Sequence, residues 1–177
     1  MDRMNKSTVA FIQSLANLEE GDLGLLRTHR GCLLDESLPG FDLFTGLWWP
    51  LRQKSPAAPR RKIAWLVAKL YSEFRLEQQE GATLPAVFGD ICRGFDPKRE
   101  FPRMLARFDR LLTTEVADLE QPLSQVLALI KKHHRISLDW VALTDDLSFW
   151  ERESKREQWV NQFTKAYRSK KEESNVN

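Results

Sequence analysis

The chain has 177 residues, 42% of them hydrophobic and 29% charged, with 27 Lys and Arg against 25 Asp and Glu. That length holds one domain or two small ones, and the balance is that of a folded globular protein rather than a disordered one. A net charge of +2 excludes a protamine-like polycation, two cysteines exclude a disulfide scaffold or a cysteine-rich zinc module, and no apolar run approaches the ~18 residues of a membrane span. The opening Met1–Lys6 has no apolar stretch behind its charges, so no secretory signal is read there, and the expected compartment is reducing and cytoplasmic.

Apolar residues recur at helical spacing along the whole chain. Ser7 is a candidate N-cap for a helix carrying Phe11, Ile12, Leu15 and Leu18. Gly21-Asp22 interrupts, and Asp22 can cap a short helix with Leu23, Leu25 and Leu26, closed by Gly31. Pro39-Gly40 reads as a turn, followed by a stripe of Phe41, Phe44, Leu47 and Trp48 that Pro50 should end. Residues 51–59 read as a loop. Ile63, Val67, Leu70, Tyr71 and Phe74 then share one helical face, with Gly81 beyond it. Leu84–Arg93 forms a short helix with Val87, Phe88 and Ile91 inward.

Asp96-Pro97 signals a helix start, and Pro102 a kink or a fresh start. Met104, Leu105, Phe108, Leu111 and Leu112 mark the helix that follows. Pro122 opens another, with Leu123, Val126, Leu127 and Ile130 inward. Ser137 can cap a helix bearing Trp140, Leu143, Leu147 and Trp150, and the last helix shows Trp159, Val160, Phe163 and Tyr167. The expectation is an all-α protein of about eight helices in two small packed units. Residues 1–80 form an N-terminal helical unit, residues 81–167 a C-terminal four-helix bundle, and 168–177 a disordered tail.

No catalytic or cofactor motif stands out. The eight glycines form neither G-x-x-x-x-G-K nor G-x-G-x-x-G. Cys32 and Cys92 lie far apart and read as packed cysteines. His133 and His134 diverge by ~100° on a helix, as do Asp145 and Asp146, so neither pair converges on a metal or a reacting proton. The first pair reads as part of a basic helix end and the second as a solvated face. Gly21–Arg30 lacks the base-reading residues of a recognition helix, and the six tryptophans sit at core-type positions.

Charge is uneven. Residues 51–62 carry Arg52, Lys54, Arg60, Arg61 and Lys62 and no acid; residues 97–110 carry five cations against Glu100 and Asp109; Lys131, Lys132 and Arg135 add a third basic run. Compensating acids, among them Glu115, Asp118 and Glu120, are expected elsewhere on the surface. Arg103, Arg107 and Arg110 are spaced four and three apart, which places them on one helical face beside the apolar stripe. A row of guanidiniums suits a linear polyanion, because each fork of donors fits phosphate oxygens and each contact releases counterions. Readout would rest on backbone and shape rather than on sequence.

Four runs resemble the CasB family, the small subunit of the type I-E CRISPR surveillance complex Cascade. They are Phe11–Leu15 with Leu18–Asp22 and Leu26-Arg27; Lys98–Leu105; Leu138–Leu143; and Asp145–Trp150 with Trp159 and Phe163 after it. Order and spacing agree over roughly residues 9–167. The resemblance implies a non-catalytic cytoplasmic protein of two helical bundles, needing neither cofactor nor membrane and present as a pair in the complex. Its partners would be the other Cascade subunits, guide RNA, and target and non-target DNA, with the open R-loop stabilised.

Carried over by position, the resemblance marks Arg27, Arg60, Arg99, Arg103, Arg107, Arg110, Lys155 and Arg156. The basic runs add Arg61, Lys62, Lys131 and Lys132. The family often has arginines where this chain has Ser124 and Gln125, and Lys131 and Lys132 lie about two turns further on. A helical protein–protein adaptor without direct nucleic-acid contact is the competing reading.

Overall fold

The run Ile63–Phe74 becomes the central helix of the protein because its neighbours close on nearly every side of it. In a computed structural model that describes residues 5–169, this helix is α4 (Arg61–Phe74), the fourth of nine α-helices among the described residues. Before it come α1 (Lys6–Ala16), α2 (Glu20–Thr28) and α3 (Leu38–Lys54). After it come α5 (Leu84–Cys92), α6 (Phe101–Thr113), α7 (Glu120–Lys132), α8 (Trp140–Ser148) and α9 (Glu153–Arg168). Short 3₁₀ turns occupy Leu34–Glu36 and Val116–Asp118. β1 (Glu77–Gln78) pairs in parallel with β2 (Ser137–Leu138). The protein is therefore essentially all-α. No helix among the described residues is long and apolar enough to cross a membrane.

Eleven of the 14 residues of α4 are buried, including Trp65, Leu66, Lys69 and Ser72 outside the expected stripe. It packs against α1, α2, α3, α7 and α8. Ala64 and Ala68 lie within it, and such small side chains let neighbouring backbones approach. A hydrophobic core runs from Phe11 in α1 to Phe163 in α9, across both expected units. Polar ties cross the same boundary. Trp140 Nε1 donates to the Leu76 carbonyl at 2.8 Å, and the Lys69 ammonium, also bonded to the Cys32 carbonyl within the first unit, sits 2.5 Å from Glu120 Oε2.

Several local expectations shift. Asn5, not Ser7, caps α1, its side chain accepting from the Ser7 amide at 3.1 Å. Asp139, not Ser137, caps α8, accepting from Ala142 at 2.9 Å, while Ser137 enters the β pair. Pro39 and Gly40 lie in the first turn of α3, where proline's missing N–H costs no intrahelical bond. Pro50 lies inside α3 without ending it. Pro50 and Gly46 are both exposed, so the Gly46 carbonyl left without its i+4 donor faces solvent. Phe41, Leu105 and Val160 are exposed rather than inward. Arg168 closes α9; the expected polar tail lies mostly outside the described residues.

The tightest helix contact is α5 on α9. A Cβ at Gly89 would stand 2.4 Å from the Phe163 carbonyl oxygen, a distance no side-chain rotation relieves. Gly89→Ala is therefore expected to destabilise the protein by about 1–3 kcal/mol of overpacking. That outweighs the ~1 kcal/mol by which alanine favours a helix. Urea denaturation checks this; equal or greater stability would contradict the packing described.

Candidate nucleic-acid interface

Pro102 lacks an amide hydrogen, so the turn that begins at Asp96 cannot run unbroken into α6. The Asp96 carboxylate instead accepts from the Lys98 and Arg99 amides at 2.9 and 2.8 Å. The helix proper starts afresh at Phe101. Within it, Phe108 and Leu111 are buried, and Phe101, Met104 and Leu112 are half-buried. Phe108 stacks on Phe163 of α9 with centroids 4.4 Å apart, and Phe101 stacks on Tyr167 at the same distance.

With that face held, Arg103, Arg107 and Arg110 point outward, all exposed. At ~100° per residue they fall within about 60° of one another, and at 1.5 Å rise they span ~10 Å of axis. None of them forms an ion pair with a described residue. Asp109 is the one acid of α6. Arg99 is exposed in the turn just before the row.

A second group gathers where the sequence is discontinuous. Arg60, Arg61, Lys62 and Arg156 line a cleft of about 760 Å³ between the start of α4, the Val116–Asp118 turn, the end of α8 and the start of α9. No side chain caps α4, so the positive end of its dipole opens at the same place. Arg60 donates through guanidinium Nη2 to the Ser148 carbonyl at 2.7 Å, which ties one edge of its head group while the residue stays exposed. Glu115 and Glu151 share the lining.

A neighbouring cleft of about 940 Å³ holds Arg30 and Arg110 and shares Glu115 and Ala117 with the first. The Val116–Asp118 turn thus stands between the end of the α6 row and the α4 cleft. The acids expected elsewhere are partly here. Glu120 is taken up by Lys69, but Glu115 and Asp118 are exposed between two basic groups.

Other candidates are held by acids. Arg27 lies 2.5 Å from Glu20, which also pairs with Arg75; Arg75 first and Arg27 second hold that carboxyl below its usual range. Arg61 lies 2.5 Å from Asp35. The Lys155 ammonium donates to Asp146 at 2.7 Å. Lys131 and Lys132 are exposed at the C-terminal end of α7, where cations complement the dipole.

Sequence reasoning passed over one more basic grouping. Arg93, Arg135, Arg168, His133 and His134 line a cleft of about 750 Å³ where α5, α7 and α9 end. Asp90 pairs with both Arg93 and Arg135 there. Arg93 and Arg168 stand outside every basic run, so spacing carried no signal for them.

The groups weighed for chemistry have structural partners. Asp146 is buried rather than on a solvated face, accepting from Trp159 Nε1 at 2.8 Å and from Lys155. Asp145 is half-buried and accepts from the Thr8 hydroxyl at 2.6 Å, tying α8 to α1. Burial pushes the Cys92 thiol up to about 12, which leaves it without nucleophilic thiolate near neutrality. His133 packs edge-on against Phe95 at 5.1 Å, and His134 ends α7 in the left-handed region.

The sequence profile described as CRISPR-associated protein Cse2 (CRISPR_cse2) matches residues 23–163, most of the chain. The chain belongs to the Cse2 family. Cse2 membership makes it a subunit of a CRISPR Cascade complex. Solved structures share the fold. CasB from M. ruber matches with a TM-score of 0.71 at 21% identity, over 90% of this chain and 93% of that one. CasB from Thermobifida fusca matches at 0.68 and 16%, over 94% and 100%. A Cse2-family protein from Thermus thermophilus matches at 0.65 and 20%, over 89% and 97%. No curated protein sequence matches the chain.

Within this Cse2 chain the Asp145 carboxyl makes a pH prediction. Its pKa is raised above the ordinary aspartate value, chiefly by burial, with the Thr8 hydrogen bond opposing and Asp146 reinforcing. A folded state that binds the proton more tightly gains stability at low pH and loses it as pH rises through the raised pKa. Asp145→Asn keeps an acceptor for Thr8 and removes the buried charge. It is expected to stabilise the protein at pH 7, with the gain shrinking as pH falls until Asp145 is itself protonated. Urea midpoints across that range check this; a gain that grows at low pH would contradict it.

Proposed function

We propose that this Cse2 subunit is a non-catalytic binder of nucleic-acid backbone within Cascade. The observation that carries the reading is the row of Arg103, Arg107 and Arg110, exposed on one face of α6 and without an ion-pair partner among the described residues. Arg99 precedes the row, and the cleft bearing Arg60, Lys62 and Arg156 receives the backbone beyond it. Lys131 and Lys132 add sequence-independent attraction from the end of α7. Arg27, Arg61 and Lys155 are occupied by Glu20, Asp35 and Asp146, and contribute to long-range potential more than to direct contact.

Guide RNA, target DNA and the displaced strand present the same phosphate chemistry. Base pairing carries the sequence information, so a subunit offering charge and shape stabilises whichever strands lie against it. Exchange of a DNA duplex for a guide–target heteroduplex is nearly balanced in energy, so a few added phosphate contacts favour the open R-loop. A pair of subunits in the complex would lengthen the basic track. Support for the absence of catalysis comes from the carboxylates and thiol described above, which are engaged or buried.

Replacing Arg103, Arg107 and Arg110 together with alanine should weaken binding to DNA and RNA alike. It should also flatten the slope of log affinity against log salt by about 0.7–0.9 per lost contact. Fluorescence anisotropy across a salt series reads both. An unchanged slope would reject α6 as the interface, and negligible binding by the unaltered chain both alone and in the reconstituted complex would favour the adaptor reading.

Glu115→Gln tests the gap between the two basic groups. Removing an exposed carboxylate from the shared wall should raise affinity a few-fold at low salt, with the gain fading as salt screens it. An equal or lower affinity would place the backbone away from the Val116–Asp118 turn.

A further inference from the structure

The cleft where α5, α7 and α9 end has no part in the reading above. Arg93 follows α5, Arg135 follows α7 and Arg168 closes α9, so three remote stretches of chain bring guanidiniums to one hollow of about 750 Å³. Arg135 and Arg168 are exposed, with His133 and His134 exposed beside them. Arg93 is half-buried and donates to the Ser169 carbonyl at 2.6 Å. Arg168 forms no ion pair with a described residue.

The balance of charge decides what the hollow prefers. Asp90 is the one acid among the described residues that line it, and it pairs with both Arg93 and Arg135. α5, α7 and α9 each turn a C-terminal end this way, worth about −0.5 charge apiece. Against these stand the three arginines, with Lys131 and Lys132 in the last turn of α7. The local sum stays positive by roughly two charges. Past Phe95, which packs on His133, Asp96 and Glu100 are matched by Lys98 and Arg99. Beyond Ser169, Lys170 and Lys171 are matched by Glu172 and Glu173. Glu77 and Glu80, near the β pair, neither line the hollow nor form an ion pair with a described residue. Spare guanidinium donors in a positive hollow fit phosphate oxygens.

Position decides which phosphate. Tyr167, in the lining, stacks on Phe101, the first residue of α6, with centroids 4.4 Å apart. The hollow therefore opens beside the start of α6, next to Arg99 and Arg103, while the clefts of Arg30 and Arg60 lie beyond Arg110 at the other end. α6 is about 20 Å long, so a strand lying along its arginines reaches both ends.

We propose that this hollow is a third phosphate-binding site, which holds the backbone of the same strand where it runs off the start of α6. The proposal rests on the backbone-binding reading and extends it to Arg93, Arg135 and Arg168. Asp90 tunes the site, because its carboxylate competes with phosphate for two of the three guanidiniums.

The test is fluorescence anisotropy across a salt series, with single-stranded DNA long enough to pass both ends of α6. Arg135→Ala with Arg168→Ala removes two exposed donors and leaves Asp90 paired with Arg93. The double variant should keep its thermal midpoint and bind about fivefold more weakly at low salt, with the slope of log affinity against log salt lowered by about 1.4. Asp90→Asn should do the opposite, tightening binding and steepening the slope as it frees two guanidiniums. A benzophenone-bearing phenylalanine in place of His133 should crosslink to the DNA.

Unchanged affinity and slope in the folded double variant, with the α6 triple variant weakened, would overturn this proposal alone. So would equal or weaker binding by folded Asp90→Asn, or no crosslink to DNA. If the double variant fails to fold, the crosslink decides. Weakening in the double variant but not in the α6 triple variant would reject the α6 row and leave the hollow standing. No binding by the unaltered chain, alone or in the reconstituted complex, would overturn both.

Discussion

Phe108 lies against Phe163 with 4.4 Å between ring centroids, and the orientation of α6 depends on that contact. The two rings belong to different helices, and Phe88 of α5 approaches both at about 6 Å. Gly89 brings the α5 backbone close enough to α9 for the cluster to close. An aromatic cluster of this kind buries large surface and adds directional ring contacts, so it resists rotation of the helix about its axis. Because Phe108 and Leu111 must face inward, residues 103, 107 and 110 must face outward. The candidate interface is thus a consequence of core packing, not of any contact among the arginines themselves.

The same separation governs the charges. Several acids elsewhere in the molecule hold elements together: Glu20 for Arg27 and Arg75, Glu120 for buried Lys69, Asp146 for Lys155 and Trp159, Asp90 for Arg93 and Arg135. α6 is long enough to present three cations and carries a single acid. Exposure also matters energetically. A hydrated guanidinium meets phosphate at a modest desolvation cost, whereas a cation committed to a buried pair, as Lys69 is, cannot be withdrawn without leaving Glu120 unpaired.

Much of the fold was legible because helical period is a strong local signal. Helices from α4 to α9 match apolar spacings visible in the sequence, and the fresh start at Pro102 agrees with the structure, whereas Asp96-Pro97, read as a helix start, opens only a turn before the helix begins at Phe101. Pro50 misled because a proline's effect depends on whether its orphaned carbonyl is solvated, which the sequence does not carry. Burial around the whole of α4 was also hidden, since periodicity reports one face and tertiary neighbours supply the rest. The α6 row could be found by counting residues. The cleft could not, because Arg60 and Arg156 come together only through the packing of α4 beside α8 and α9. Asp146 was misjudged for the same reason: its partner Trp159 lies a helix away. Family resemblance was carried by runs such as Lys98–Leu105 and Leu138–Leu143, which fall within the residues the Cse2 profile matches.

Arginine-selective labelling of the chain, with and without bound DNA or RNA, measures the central claim most directly. Modification by a dicarbonyl reagent, mapped by mass spectrometry, reports each guanidinium separately. The account predicts strong protection of Arg103, Arg107 and Arg110, weaker protection of Arg60 and Arg156, and little change at Arg27 and Arg75, whose partner is Glu20. Protection confined to the Glu20-paired arginines, with the α6 row left reactive, would contradict it.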